Sequence, residues 1–310
     1  MMPQIEEDGT VGLGPQFLGW LDVLDILKAL LAHLRLPAEN APVRLLELMN
    51  DLEQEGRNFA SKSVVTVRDM EDRGLVFLAD ADSTSVLDAI QRLFMQHTAK
   101  GVRNLHRLAI FDNSGEIVGI VSQMDVLRWL LSQEESFPQM LDKTIDELGL
   151  LTGRRPILTV NVHDITLMAF HKIVEAGVSG APVLSDQGEL VANLSVSDLR
   201  ALTEEHFSML ALPLGEFLAL EHHIAYVGYS SDEKSSGKQR WFYGARKGQS
   251  GERDLKLHIA QRNSSLRSVL NIFVHNHVHR VYIIDEKQNN SPVESVLTLT
   301  DILQFMAGIW

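Results

Sequence analysis

Four aspartates hold one repeated position in this chain. Asp25, Asp125, Asp198 and Asp301 stand three residues after Asp22, Ser122, Ser195 and Thr298, and three of those preceding residues carry a hydroxyl. An apolar helical pattern follows each aspartate. A hydroxyl followed three residues later by an acid is a capping box in form: its oxygen accepts from an early helix amide, and the acid sits in the helix's positive first turn. A carboxylate kept ionised there can also accept charge-assisted hydrogen bonds from a ligand, worth ~1.5–3 kcal/mol each. The plain reading is a cap with no further role, because such caps are common. The carboxylates come one per unit, not as the close pair that acid–base catalysis uses. With no Gly-rich phosphate loop and no Gly-x-Ser-x-Gly elbow, the expectation is that the chain is not an enzyme.

The elements that must position these residues repeat as well. Val281-Tyr-Ile-Ile284 reads as a buried strand, the polar stretch Asp285 to Ser291 as a loop, and Glu294 to Thr298 as a second strand leading into the helix that begins at Ile302. His279-Arg280-Val-Tyr-Ile-Ile-Asp285 matches His106-Arg107-Leu-Ala-Ile-Phe-Asp112, which leads through Ile117 to Val121 into Ser122-Gln-Met-Asp125 and a helix over 126–131. A third copy runs Ser179-Gly-Ala-Pro-Val-Leu184, a turn at Asp186 to Gly188, Leu190 to Leu194, then Ser195 to Leu199. A fourth is partial: Phe17 to Leu21, then Asp22 to Leu27. Three copies carry a further strand and helix upstream: Leu75 to Leu78 before Ser85 to Met95, Ile157 to Val160 before Ile165 to Ala176, and Leu255 to Ile259 before Ser265 to Val274. The unit is β-α-β-β-α, and the predicted fold class is mixed α/β (α+β).

This unit resembles the CBS domain, whose most specific mark is the strand–hairpin–(Ser/Thr)-x-x-Asp–helix ending. The resemblance covers residues 17–308 apart from the loop at 228–253. It is similar in particular to the gamma regulatory subunits of the AMP-activated protein kinase group, through Val278-His279-Arg280, Leu297-Thr-Leu-Thr-Asp301, Leu105-His106-Arg107 and Val178-Ser179-Gly-Ala-Pro182. The resemblance implies four tandem repeats in two pairs forming a flat disc, with the first incomplete. It implies AMP, ADP and ATP as ligands, no cofactor, and a heterotrimer with protein kinase catalytic and scaffold subunits. Carried over by motif, Asp25, Asp125, Asp198 and Asp301, with Ser122, Ser195 and Thr298, would hold ribose. His106, Arg107, His279 and Arg280 would hold phosphate, and Thr159, Val160, Ser179 and Ala181 would border the base. A carboxylate can accept from both ribose hydroxyls at once, Arg280 offers a planar fork of donors, and a bound phosphate would raise the pKa of either histidine. The first copy departs from the pattern, with Asp22 in place of the hydroxyl residue and no His-Arg strand. Two alternatives stay open: a stand-alone CBS protein with another adenosyl ligand and a non-kinase partner, and a scaffold with empty clefts.

The expected domains are 1–60 (Gly-rich acidic lead, partial first repeat, helical linker), 61–135 (repeat two), 140–208 (repeat three) and 209–308 (repeat four with a basic insertion at 228–253). That insertion reads as a solvated loop, or as a docking element anchored by Trp241 and Tyr243. The chain has 310 residues, 45% of them apolar, and a formal net charge of −13 from 28 basic and 41 acidic residues. That balance argues against general nucleic-acid binding and requires a local basic cluster for any anionic ligand. No apolar run approaches the ~20 residues of a membrane span, no secretory signal is apparent, and there is no cysteine. The expected setting is cytosolic or nuclear. His275, His277 and His279 could suggest a metal site. They lack a clear partner carboxylate or thiolate, so His275 and His277 read as cations at a helix end.

Overall fold

The computed structural model describes residues 21–37, 44–63, 84–98, 101–112, 116–136, 138–152, 156–203, 205–222, 257–285 and 293–308. It also describes the short pairs 4–5, 11–12, 77–78, 225–226 and 243–244. Three three-stranded sheets share one plan. Phe77–Leu78 runs parallel to Arg107–Phe111, which is antiparallel to Ile117–Ser122. Val160–Asn161, Gly180–Leu184 and Leu190–Ser195 repeat the order, as do Ile259–Ala260, Arg280–Ile284 and Val293–Thr298. In each unit the opening parallel strand keeps only two described residues. The β-branched runs of the middle strands are the buried ones: Val281, Tyr282 and Ile283 are almost fully enclosed.

The helices follow their apolar spacing. Thr166–Glu175 buries Leu167, Phe170 and Ile173, and Leu266–Asn276 buries Leu266, Leu270 and Phe273, the three- and four-residue steps of one helical face. Ser85 to Met95, expected to be one helix, is a single turn over Val86–Asp88 that widens into a π-helix over Ala89–Phe94 and gives way to a strand at Met95–Thr98. The segment after Ser195 is a 3-10 helix, Val196–Ala201. Strand Phe17 to Leu21 lies outside the described residues up to position 20, and so does the insertion 228–253 except for 243–244.

Two apolar cores result. One joins repeats two and four. The other joins repeat three to helices Val23–His33 and Leu45–Ala60. The second of these helices, expected to be part of a linker, is packed along Leu48, Leu52, Gly56 and Phe59. Gly56 is required there, since a Cβ would lie 2.3 Å from the Phe207 ring.

The connecting segments are exchanged between repeats. The stretch around Lys143 and Ile145 leads into repeat three, yet it bonds to repeat four: Leu266 N donates to the Lys143 carbonyl at 2.9 Å and Ile145 N to the Ser264 carbonyl at 3.0 Å. The stretch before repeat four does the reverse. Leu214 N donates to the Asp164 carbonyl at 2.8 Å and Gly215 N to the Val162 carbonyl at 2.9 Å. Buried backbone groups need partners, so this exchange interlocks repeats three and four across the sequence boundary placed at 208.

Candidate functional site

Four capping boxes anchor the site, one per copy. At Thr298 the hydroxyl donates to Asp301 Oδ2 at 2.7 Å and accepts from Asp301 N at 3.2 Å, while Thr298 N donates to the same carboxylate at 2.6 Å. Ser122 and Asp125 repeat the arrangement, with Oγ to Oδ2 at 2.6 Å. Ser195 N donates to Asp198 at 2.7 Å. In the partial copy Asp22 takes the hydroxyl's place, and its Oδ1 accepts from Asp25 N at 3.1 Å. Asp125 is tied further: Arg128 donates to Oδ1 at 2.9 Å and reaches His277 Nδ1 of repeat four at 2.9 Å. Burial of Asp125 works against its charge, but the bonds from Ser122 and Arg128 outweigh burial and hold the carboxyl below its usual range.

Strand register shows how the repeats correspond. Arg107 pairs with Ser122, Arg280 with Thr298 and Gly180 with Ser195. Each residue therefore lies across from the cap of its own repeat, and repeat three carries Ser179-Gly180 where repeats two and four carry His-Arg. Arg280 occupies the room this leaves. Its Nη2 donates to Ser179 Oγ at 2.8 Å and its Nη1 to Asn193 Oδ1 at 3.2 Å. A Cβ on Gly180 would lie 2.1 Å from that Nη1. The Tyr282 hydroxyl donates to the same Asn193 oxygen.

The four His-Arg residues converge. Burial lowers the pKa of His106; Asp22 opposes this, and Arg107 and Arg280 reinforce it. Burial, then His106, Arg280, Arg107 and Arg200, bring His279 to about 4. Both shifts favour the neutral imidazole, in a cationic cluster built from repeats two, three and four, with Asp22 of the partial copy beside it. Asp198 lies at its edge. Burial raises its pKa to about 7; the Ser195 amide and Arg280 lower it, and Glu221 raises it. Burial, then Arg280 and Asp198, act on Tyr282, and the net shift is upward.

A ribose candidate and a phosphate candidate thus meet at Asp198 and Arg280, and Arg280 in turn acts on His279. Asp125 and Asp301 cap their own helices, and Thr300 beside Asp301 reaches Gln123 of repeat two at 3.3 Å. Among the base candidates, Thr159 is exposed and Ser179 holds Arg280, whereas the side chains of Val160 and Ala181 are in the apolar core. Those two could border a ligand through backbone alone. Among the described residues no group of three or more His, Cys, Asp or Glu is placed to hold a metal ion. His275 bonds to the Asn271 carbonyl in the last turn of its helix, at 3.0 Å. Arg200, Asn193, Tyr282 and Glu221 went unread in the sequence. Asn193 was detectable: two residues before the cap, repeats two and four have Ile120 and Val296.

Exchanging Asp301 for asparagine separates cap from ligand contact. Losing the charge at the helix start is expected to cost ~0.3–1 kcal/mol of stability. A ribose grip would add about a tenfold loss of affinity for AMP and adenosine alike, read by calorimetric titration. A variant that melts earlier yet binds both ligands as the wild type does assigns Asp301 to the cap alone.

The CBS-domain family profile matches residues 61–132, 151–205 and 253–308. Protein sds23 of Neosartorya fischeri is 26% identical over 162 residues, 51% of this chain and 29% of that protein. Protein SDS23 of Saccharomyces cerevisiae is 30% identical over 113 residues, 32% of this chain and 21% of that protein. The matched stretches span less than a third of these curated relatives. A solved structure from Methanocaldococcus jannaschii, described as a candidate archaeal homolog of g-AMPK, superposes with a TM-score of 0.57 at 15% identity, covering 94% of this chain and 84% of that one. That likeness speaks to the fold. Among the described residues no helix is long and apolar enough to cross a membrane.

Proposed function

The chain belongs to the CBS-domain family, and on that premise we propose that it is a non-catalytic regulatory protein that binds AMP, ADP or ATP and serves as a subunit of a protein kinase complex. The observation that carries the reading is the gathering of Arg107, Arg280 and Arg200 around His106 and His279 in a chain of net charge −13. So much local positive charge in an acidic protein suits an anionic ligand. Asp198 stands beside Arg280 at a distance where one acts on the charge of the other, so a ribose acceptor and a phosphate donor border one space. Neutral imidazoles at neutral pH can donate to phosphate and take up a proton as they do so.

The kinase partner draws support from the gamma-subunit motifs and from the description of the archaeal neighbour. Regulation would follow from differential affinity: AMP, ADP and ATP compete for the cleft, and each biases two arrangements of the complex differently. A second reading keeps the cleft and changes its setting: another adenosyl ligand and a non-kinase partner.

Thermal denaturation tests the ligand class. A ligand at a hundred times its Kd raises stability by about 2.7 kcal/mol. AMP or ADP below millimolar concentration is expected to raise the melting temperature measurably, and GMP is not expected to do so comparably. No shift with any adenine nucleotide would remove the sensor reading. Affinity purification followed by identification of co-purifying subunits decides between the kinase and non-kinase partners.

A further inference from the structure

Arg280 carries five N–H donors and no acceptor. Two of them are engaged, by Ser179 Oγ at 2.8 Å and Asn193 Oδ1 at 3.2 Å, and both partners belong to repeat three. The guanidinium can only donate, so Asn193 must turn its amide oxygen toward it. The nearly buried Tyr282 of repeat four donates to that same oxygen and so holds Asn193 in the orientation Arg280 needs. Gly180 completes the socket by lacking a Cβ, which would otherwise lie 2.1 Å from Nη1. Both fixed partners of Arg280 are uncharged. The arginine is thereby oriented while keeping its full charge and three further donors.

We propose that Asn193, with Ser179, is the positioning residue that presents Arg280 to a phosphate group across the junction of repeats three and four. The inference rests on the nucleotide reading for the identity of the ligand, but not for the geometry of the socket. A preset arginine loses less side-chain freedom on binding than one that must be captured from solution. A neutral amide suits the task better than a carboxylate: aspartate at position 193 would hold the guanidinium equally well and would cancel the charge a phosphate needs. Nothing in the sheet plan requires a polar side chain here, since Ile120 and Val296 stand at the matching positions of the other two sheets.

The test compares wild type, Asn193→Asp and Asn193→Leu by calorimetric titration with AMP, adenosine and inorganic pyrophosphate. Asn193→Asp keeps the shape, so it decides the matter if the leucine variant fails to fold. Affinity for AMP and pyrophosphate is expected to fall about tenfold in each folded variant, with adenosine unchanged within about twofold. A purely structural role would move AMP and adenosine together, and that result, or undiminished AMP binding, overturns the proposal. Should the wild type bind neither AMP nor adenosine, the adenine reading fails and the pyrophosphate arm alone decides. Pyrophosphate bound by the wild type and weakened by the variants supports the socket; pyrophosphate not bound by the wild type overturns it.

Discussion

Gly180→Val is expected to lower both the stability of the protein and its affinity for phosphate-bearing ligands. A Cβ there would meet Arg280 Nη1 at 2.1 Å, Arg280 Cζ at 2.5 Å and the Leu194 carbonyl oxygen at 2.5 Å. A long side chain can swing aside, but the Leu194 carbonyl belongs to a strand paired with this one and moves only with its sheet. Overpacking of this kind costs ~1–3 kcal/mol. Displacing Arg280 would also break its bonds to Ser179 and Asn193, each a charge-assisted contact worth ~1.5–3 kcal/mol. The entropy a glycine replacement removes from the unfolded chain returns only ~0.4–1 kcal/mol, so the clash decides the sign. Urea denaturation should show a loss of at least about 3 kcal/mol. In the fraction that folds, AMP affinity should drop toward that of adenosine. A variant within ~0.5 kcal/mol of wild type that still prefers AMP to adenosine would mean that Arg280 does not need the gap at Gly180.

Much of the fold was legible because it repeats. One Thr-x-x-Asp before an apolar run is an ordinary cap, but Asp125, Asp198 and Asp301 in register exposed a unit, and the unit set the strand and helix order seen in three sheets. The His-Arg pairs stood out for the same reason, and the structure brings them together. Less legible was what depends on contacts between units. Nothing local in the segment around Lys143 and Ile145 says that it bonds to repeat four rather than to the repeat it precedes. The packed helix Leu45–Ala60 looked like a linker because its apolar face has no partner nearby in sequence; the partner is around Phe207. Ser179 and Ala181 were matched to the base-bordering strand, and only strand register shows Ser179 and Gly180 in the place of a His-Arg pair. Asn193 departs visibly from Ile120 and Val296 at the matching positions, but its role shows only where Arg280 and Tyr282 converge on it.

Acid titration should move stability and ligand affinity in opposite directions once a competing carboxyl is removed. His279 has a pKa of about 4 in the folded protein against 6.5 for the free side chain, and His106 is lowered in the same sense. With the folded value depressed, the unfolded chain takes its proton first. The contribution is present above 6.5 and is lost as pH falls toward 4. Asp198 has the opposite sign, with a folded value of about 7 against 3.8, so its contribution is present below 3.8 and is lost as pH rises through 7. The two overlap with opposing slopes, so Asp198 offsets the His279 contribution between about pH 5 and 6.5. Asp198→Asn should expose the histidines, its urea midpoint falling as pH drops across that interval. His279→Gln should tip the balance toward Asp198, its midpoint falling less than that of Asp198→Asn, or rising, as pH drops. His279 and His106 are both exposed at the surface, so solvent screening softens these slopes. A bound phosphate favours the charged imidazole and raises its pKa. AMP binding is therefore expected to take up a proton and to tighten as pH falls from about 8 to 6.5, where the phosphate is still mostly a dianion. Titration in two buffers of different ionisation enthalpy measures that uptake directly. Uptake by the wild type that is lost in His279→Gln places the phosphate at the cluster; equal heats in both buffers for the wild type would place it elsewhere.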